Sequence, residues 1–121
     1  MAKRVLIVDD EPDLLKVAGF RLKSTGYDVV TAVDGEEAVS LIRKEPPDLV
    51  LLDLRLPKMS GSDVCRWIKT DDKLKAIPVI LFTASGLDRI EDRVKEAAAD
   101  DYLIKPFDGK ELVEKVKKFI G

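Results

Sequence analysis

The chain has 121 residues, 45% hydrophobic and 36% charged, with a formal net charge of -2. That is enough apolar material for one core and enough charge to coat it, without the clearly basic face of a general nucleic-acid binder. Histidine is absent and Cys65 is the single cysteine, which excludes histidine-based catalysis, most zinc sites and an internal disulfide. No apolar run approaches the ~20 residues of a membrane span, and the N-terminus lacks the apolar stretch of a signal peptide. One cytoplasmic domain over residues 1–121, with no membrane contact and no direct nucleic-acid contact, is the expectation.

Val5-Leu6-Ile7-Val8 is a short apolar run of the kind buried on both faces of a parallel sheet, and it ends in Asp9-Asp10. Glu11-Pro12 opens a helix, with the proline in the first turn, where its missing N–H costs nothing. Leu14, Ala18 and Leu22 are its expected buried stripe, and Gly26 closes it. A strand over Asp28–Ala32 follows. Asp34 and Glu37 then have capping-box spacing for a helix that carries Ala38, Leu41 and Ile42.

Pro46-Pro47 ends that helix and leads into Leu49-Val50-Leu51-Leu52-Asp53, an unbroken apolar run closed by one carboxylate. Beyond Pro57-Lys58-Met59-Ser60-Gly61 a helix presents Val64, Cys65 and Ile68, with Trp67 off the stripe; Cys65 reads as a small core residue. Pro78–Phe82 is the next strand, ending in Thr83-Ala84-Ser85-Gly86. Asp88–Ala98 reads as a charged helix with Ile90, Val94 and Ala97 on its apolar side. Asp101-Tyr102-Leu103-Ile104 makes a last strand running into Lys105-Pro106-Phe107. Asp108 and Glu111 cap a final helix that buries Leu112, Val113, Val116 and Ile120 and leaves Glu114, Lys115 and Lys117 in water.

Strand and helix thus alternate five times, which implies a parallel sheet covered by helices on both faces. With right-handed crossovers the expected architecture is a flavodoxin-like, doubly wound (βα)5 fold with strand order 2-1-3-4-5. In such a sheet the carboxyl ends of the strands share one edge. Asp9, Asp10, Asp53, Thr83 and Lys105 therefore converge, although they are far apart in sequence. Three carboxylates in one place repel, and a divalent cation relieves this; an all-oxygen site suits Mg2+, which often shares its remaining positions with a phosphate. Lys105 offers a charge and Thr83 a hydroxyl to phosphoryl oxygens, and Asp53 is placed as the nucleophile that would form an aspartyl phosphate. Each residue also has a plainer reading: Asp9 and Asp10 as helix caps, Thr83 as a turn hydroxyl, Lys105 as a solvated charge. Their coincidence at the relevant strand ends favours the chemical reading.

The sequence resembles the receiver domain of two-component response regulators over its whole length. The resemblance is carried by Val8-Asp9-Asp10-Glu11, Asp34-Gly35, Leu51-Leu52-Asp53, Pro57-Lys58-Met59-Ser60-Gly61, Phe82-Thr83-Ala84 and Asp100-Asp101-Tyr102-Leu103-Ile104-Lys105-Pro106-Phe107. It implies that Asp53 is the phosphoacceptor, that Asp10 binds Mg2+ directly and Asp9 through a metal-bound water, and that the backbone carbonyl of Arg55 is the remaining protein ligand. Thr83 matches the switch hydroxyl, Lys105 the phosphate-pairing lysine and Tyr102 the switch aromatic, and Lys105-Pro106 resembles the family's cis peptide. A histidine kinase or histidine phosphotransfer protein is the implied donor, docking beside Pro12, Leu14 and Leu15. The implied readers are a downstream target protein or a fused output domain, with phosphorylation-dependent homodimerisation as a further possibility of the family. The chain is then a stand-alone receiver or part of a larger regulator, and its chemistry is autocatalytic, not that of an enzyme with a separate substrate.

Departures from the pattern carry their own expectations. Arg55 is either a solvated cation or a group that touches the phosphoryl or the attacking water. Ser85 is small and should leave the path of that water open. Ala98 stands where the family often has a helix-ending glycine. A haloacid-dehalogenase-type phosphatase would want an acid at position 55 and a cap domain. A flavodoxin-like cofactor binder would want a phosphate loop where Asp9 and Asp10 stand. A receiver fold kept only for docking would not need all five site residues.

Overall fold

The computed structural model describes residues 2–84 and 90–121. Its elements run β1 (Arg4–Val8), α1 (Pro12–Thr25), β2 (Asp28–Ala32), α2 (Gly35–Lys44), β3 (Leu49–Asp53), α3 (Gly61–Thr70), β4 (Val79–Ala84), α4 (Ile90–Ala97), β5 (Asp101–Lys105) and α5 (Gly109–Ile120). The strands form one parallel sheet in the order β2-β1-β3-β4-β5, the expected flavodoxin-like doubly wound arrangement. The expectations that rest on Ser85, and the start of the fourth helix at Asp88, lie outside the described residues.

Strand alternation divides the core in two. Val5, Ile7, Leu49, Leu51, Ile80, Phe82 and Leu103 face α1 and α5, where they meet Leu15, Ala18, Leu22, Leu112 and Val116. Leu6, Val8, Val50, Leu52, Val79 and Leu81 face the opposite layer and meet Ala38, Ile42, Val64, Cys65, Ile68 and Ala97. All five residues of β3 are buried, because it lies at the centre of the sheet with helices over both faces.

Helix ends follow the chemistry of their residues. Asp34, Ser60 and Asp108 each accept a hydrogen bond from the N–H three residues on, and Glu37 reciprocates on the N–H of Val33 at 2.8 Å. At the end of α1 Gly26 takes φ 111°, with the Gly26 and Tyr27 N–H groups donating to the carbonyls of Lys23 and Leu22. Helix α4 ends the same way on an alanine. Ala98 takes φ 61°, and Ala98 and Ala99 donate to Lys95 and Val94. The left-handed ending persists without the glycine that would suit it.

Two expectations are corrected. On α1 it is Leu15 that is buried with Ala18 and Leu22, whereas Leu14 is half-buried. Steps of four and four drift by about 80° around a helix and steps of three and four by only about 20°, so the second set keeps to the sheet-facing stripe. Lys115, expected in water, pairs with Asp101 of β5 at 2.8 Å and lies 5.9 Å from the Tyr102 ring centroid. That pairing holds the Asp101 carboxyl below its ordinary range: burial alone would raise it, but the Lys115 ammonium and the Tyr102 N–H outweigh burial. Trp67 is half-buried beside the Arg43 guanidinium.

An L-residue in the left-handed region costs about 1–2 kcal/mol, of which glycine gives back part through its looser unfolded chain. Ala98→Gly is therefore expected to stabilise the protein by about 0.5–1 kcal/mol in urea unfolding. Gly61→Ala should act in the opposite sense. A Cβ at Gly61 would lie 1.9 Å from the carbonyl oxygen of Asp53, a backbone atom that cannot swing aside, and a loss of at least about 2 kcal/mol is expected.

Candidate functional site

Four of the expected residues meet at the carboxyl edge of the sheet. Asp9 follows β1 and is wholly buried, Asp53 closes β3 and is 9% exposed, and Asp10 is exposed at the rim. One carboxylate oxygen from each lies within 4.8 Å of the other two. Lys105, the last residue of β5, reaches across from the sheet edge. Its Nζ donates to Asp9 Oδ2 at 2.8 Å, to Asp53 Oδ2 at 3.1 Å and to Glu11 Oε1 at 3.3 Å. The Lys105-Pro106 peptide that follows is cis, as the resemblance implied.

The loops hold the carboxylates in place. Glu11 N–H donates to Asp9 Oδ1 at 2.9 Å, so both Asp9 oxygens are engaged. Arg55 N–H donates to Asp53 Oδ1 at 3.1 Å. The β3–α3 loop turns back tightly enough for Gly61 N–H to reach the Leu54 carbonyl at 3.1 Å, a fold-back that only a residue without a Cβ permits here. Asp10 accepts no hydrogen bond among the described residues. Together with Asp10, Glu11, Leu54, Arg55, Ala84 and Lys105, Asp53 lines an open cleft of about 250 Å3.

Burial pushes the Asp53 carboxyl above its ordinary range, and this outweighs the hydrogen bond from Arg55 and the charge of Lys105, while the charge of Asp9 adds to the rise. Burial would pull the Lys105 ammonium down, but its bonds and charge interactions with Asp9 and Asp53 win and hold it above the usual lysine range. The cation stays charged at any physiological pH.

Thr83 and Tyr102 make no hydrogen bond to this cluster among the described residues. Thr83 lies on β4, one residue past Phe82, the register partner of Asp53. It is buried, and its Oγ1 has no hydrogen-bond partner among the described residues. A buried hydroxyl left in that state costs about 1–3 kcal/mol. Tyr102 is half-buried and packs against the α2–α4 layer. The Arg55 side chain is exposed and forms no ion pair among the described residues. Glu11 was missed as a partner of Lys105 in the sequence reading. Its position directly after Asp9-Asp10 was the signal, and its helix-opening role hid the second use.

The donor set fits a hard divalent cation. It is made only of oxygen, it is open at Asp10, and it collects three carboxylates beside one ammonium. The chain belongs to the response regulator receiver domain family, whose model matches residues 5–117. It is 40% identical over 119 residues to RpaA of Synechocystis sp., a DNA-binding dual master transcriptional regulator, with 97% of this chain and 48% of the relative covered. Among solved structures it is similar to the signal receiver domain of a signal transduction histidine kinase from Syntrophus aciditrophicus, at TM-score 0.92 and 36% identity, covering 98% of this chain and 90% of that one. It is also similar to the receiver domain of the sensor histidine kinase PA1611 from Pseudomonas aeruginosa, which has a magnesium ion coordinated in its active-site cleft, at TM-score 0.91 and 32% identity, covering 100% and 99% of the two chains. The chain spans less than half the length of the curated relatives it matches. No helix among the described residues is long and apolar enough to cross a membrane.

Because the folded state raises the pKa of Asp53, it binds that proton more tightly than the unfolded chain does. The contribution favours folding below the ordinary carboxylate range of about 4 and is lost as pH rises through the folded value. At pH 7 the ionised carboxylate costs stability. Asp53→Asn is therefore expected to melt higher than the wild type at pH 7, with the gain shrinking to nothing near pH 3 in parallel calorimetric scans.

Proposed function

We propose that residues 1–121 form one receiver domain that takes a phosphoryl group onto Asp53 in a His-to-Asp relay and signals through the change this causes. The observation that carries the reading is the single ammonium of Lys105 shared by buried Asp9 and near-buried Asp53, with Asp10 open beside them. Phosphoryl transfer asks little covalent help of a protein: it needs an in-line nucleophile and cations on the equatorial oxygens. Asp53 supplies the nucleophile, and burial makes its carboxylate more basic and hence more nucleophilic.

In this reading a carboxylate oxygen of Asp53 attacks the phosphorus of a partner's phosphohistidine. The P–O bond forms, the P–N bond breaks, and the bonding pair leaves on the imidazole, which takes up a proton. Lys105 follows the phosphoryl oxygens, and Thr83 Oγ1, which has no hydrogen-bond partner among the described residues, donates to them. Tyr102 then repacks, so that the surface of α4, β5 and α5 changes; the phosphoryl group shifts the balance of two packings by its differential affinity for them. Water later hydrolyses the acyl phosphate.

Mg2+ is the implied cofactor. Asp10 is suited to bind it directly because its oxygens accept no hydrogen bond among the described residues, and Asp9 through water because both of its oxygens are engaged. Asp53 and the Arg55 carbonyl complete the protein ligands. Once bound, it would neutralise charge on the phosphoryl oxygens.

A histidine kinase or histidine phosphotransfer protein is the proposed donor. The proposed readers are a target protein or a fused output domain, with a homodimer formed on phosphorylation, all in the cytoplasm. No direct contact with nucleic acid or membrane is assigned to this domain. The relationship to full-length regulators such as RpaA supports an output domain beyond this stretch.

Incubation with acetyl phosphate and Mg2+ followed by intact-mass analysis is expected to add one phosphate to the wild type and none to Asp53→Asn or to the chelated wild type. Lys105→Ala should label at least about 100-fold more slowly. Thr83→Ala should still label. An adduct on Asp53→Asn, or one formed at full rate under chelation, would overturn the reading.

A further inference from the structure

An ammonium has three N–H donors, and in Lys105 all three are spoken for: Asp9 at 2.8 Å, Asp53 at 3.1 Å and Glu11 at 3.3 Å. The three partners are unequal. The Asp9 side chain is fully buried and that of Asp53 nearly so, whereas that of Glu11 is 63% exposed. Glu11 is also fixed at its root. Its backbone N–H is tied to Asp9 Oδ1, and Pro12 starts α1 directly after it. Only its side chain is free to let go, and that side chain lines the mouth of the cleft on which Asp53 opens.

We propose that Glu11 is a positioning residue for the phosphoryl transfer: a tether that holds the third donor of Lys105 at the cleft mouth and slows phosphorylation until that bond is released. The proposal rests on the phosphoacceptor reading of Asp53. An arriving phosphoryl group brings new oxygens into the cleft that Asp53, Glu11 and Lys105 line together, and Lys105 has no spare donor for them. The bond it can release at least cost is the longest and most solvated, the one to Glu11. With acetyl phosphate as donor, an Asp53 oxygen forms the new P–O bond, the old P–O bond breaks, and acetate leaves with the bonding pair. Lys105 exchanges a carboxylate partner for a phosphoryl oxygen in the same event.

The test compares wild type, Glu11→Gln and Glu11→Asp, each with Mg2+ and two donors of different charge, acetyl phosphate and phosphoramidate. Glutamine removes the ionic bond. Aspartate keeps the charge but, one methylene shorter, draws it away from Lys105. Both variants are expected to label about two- to fivefold faster than wild type, the worth of one partly exposed ion pair, and by the same factor with either donor. The side-chain 1H–15N signal of Lys105 should shift in both variants, reporting loss of the contact, and the matching gain in labelling rate is what a merely structural role would not produce. Unchanged labelling in Glu11→Gln overturns the tether. So does a gain confined to the more highly charged donor, or wild-type behaviour of Glu11→Asp, since each makes Glu11 a field charge and not a contact. Labelling of the wild type reports the underlying reading separately: if it takes no phosphate from either donor, the phosphoacceptor assignment itself falls and the tether with it.

Discussion

Everything at the cleft depends on one buried carboxylate having a cation to face. Asp9 has no exposed surface, and an ionised carboxylate removed from water is tolerated only when paired and hydrogen-bonded. Lys105 meets that need from the far end of the sheet, 96 residues along the chain. The ion pair reaches from the end of β1 to the end of β5, across the end of β3, and so fixes where Asp53 sits relative to both. A parallel sheet makes this possible because its crossovers return every strand in the same direction, so that all the carboxyl ends open on one edge.

The loops add the finer placement. Gly61 lets the β3–α3 loop fold back onto the Asp53 carbonyl, and Gly35 lets the turn before α2 approach Met59 closely enough that a Cβ would meet its carbonyl oxygen at 2.0 Å. Neither glycine carries chemistry. Both allow the backbone to pack where any side chain would intrude, and the Asp53 carboxylate is oriented as a result, with the Arg55 N–H on one oxygen and Lys105 on the other. In the proposed reaction this arrangement sets the direction of attack and leaves Thr83, buried without a hydrogen-bond partner among the described residues, to gain from the phosphoryl group's arrival.

Much of this was legible from the residues alone, for a physical reason. Apolar runs such as Val5–Val8 and Leu49–Leu52 are too short for helices and too continuous for exposed strands, so they mark a sheet covered on both faces. Once the sheet is parallel, its strand ends name the cleft residues. Capping signals are local, and Asp34 and Asp108 behave as their spacing requires. What was not legible depends on tertiary distance. Nothing local shows that Lys115 meets Asp101 or that Lys69 reaches the Ile77 carbonyl and Asp100 at 2.7 Å each, whereas the burial of Leu15 in place of Leu14 follows from helical spacing that favours the 15, 18, 22 set. Glu11 has a sufficient local role in opening α1, which concealed its bond to a residue 94 positions away.

The central claim is that Asp53, and neither of the neighbouring carboxylates, carries the phosphoryl group. An acyl phosphate is reduced by borohydride to the alcohol, so an aspartyl phosphate becomes homoserine at its own position. Protein treated with phosphodonor and Mg2+, reduced and digested, should yield homoserine at position 53 and unaltered aspartate at positions 9 and 10. Homoserine at position 9 or 10, with Asp53 intact, would contradict the account.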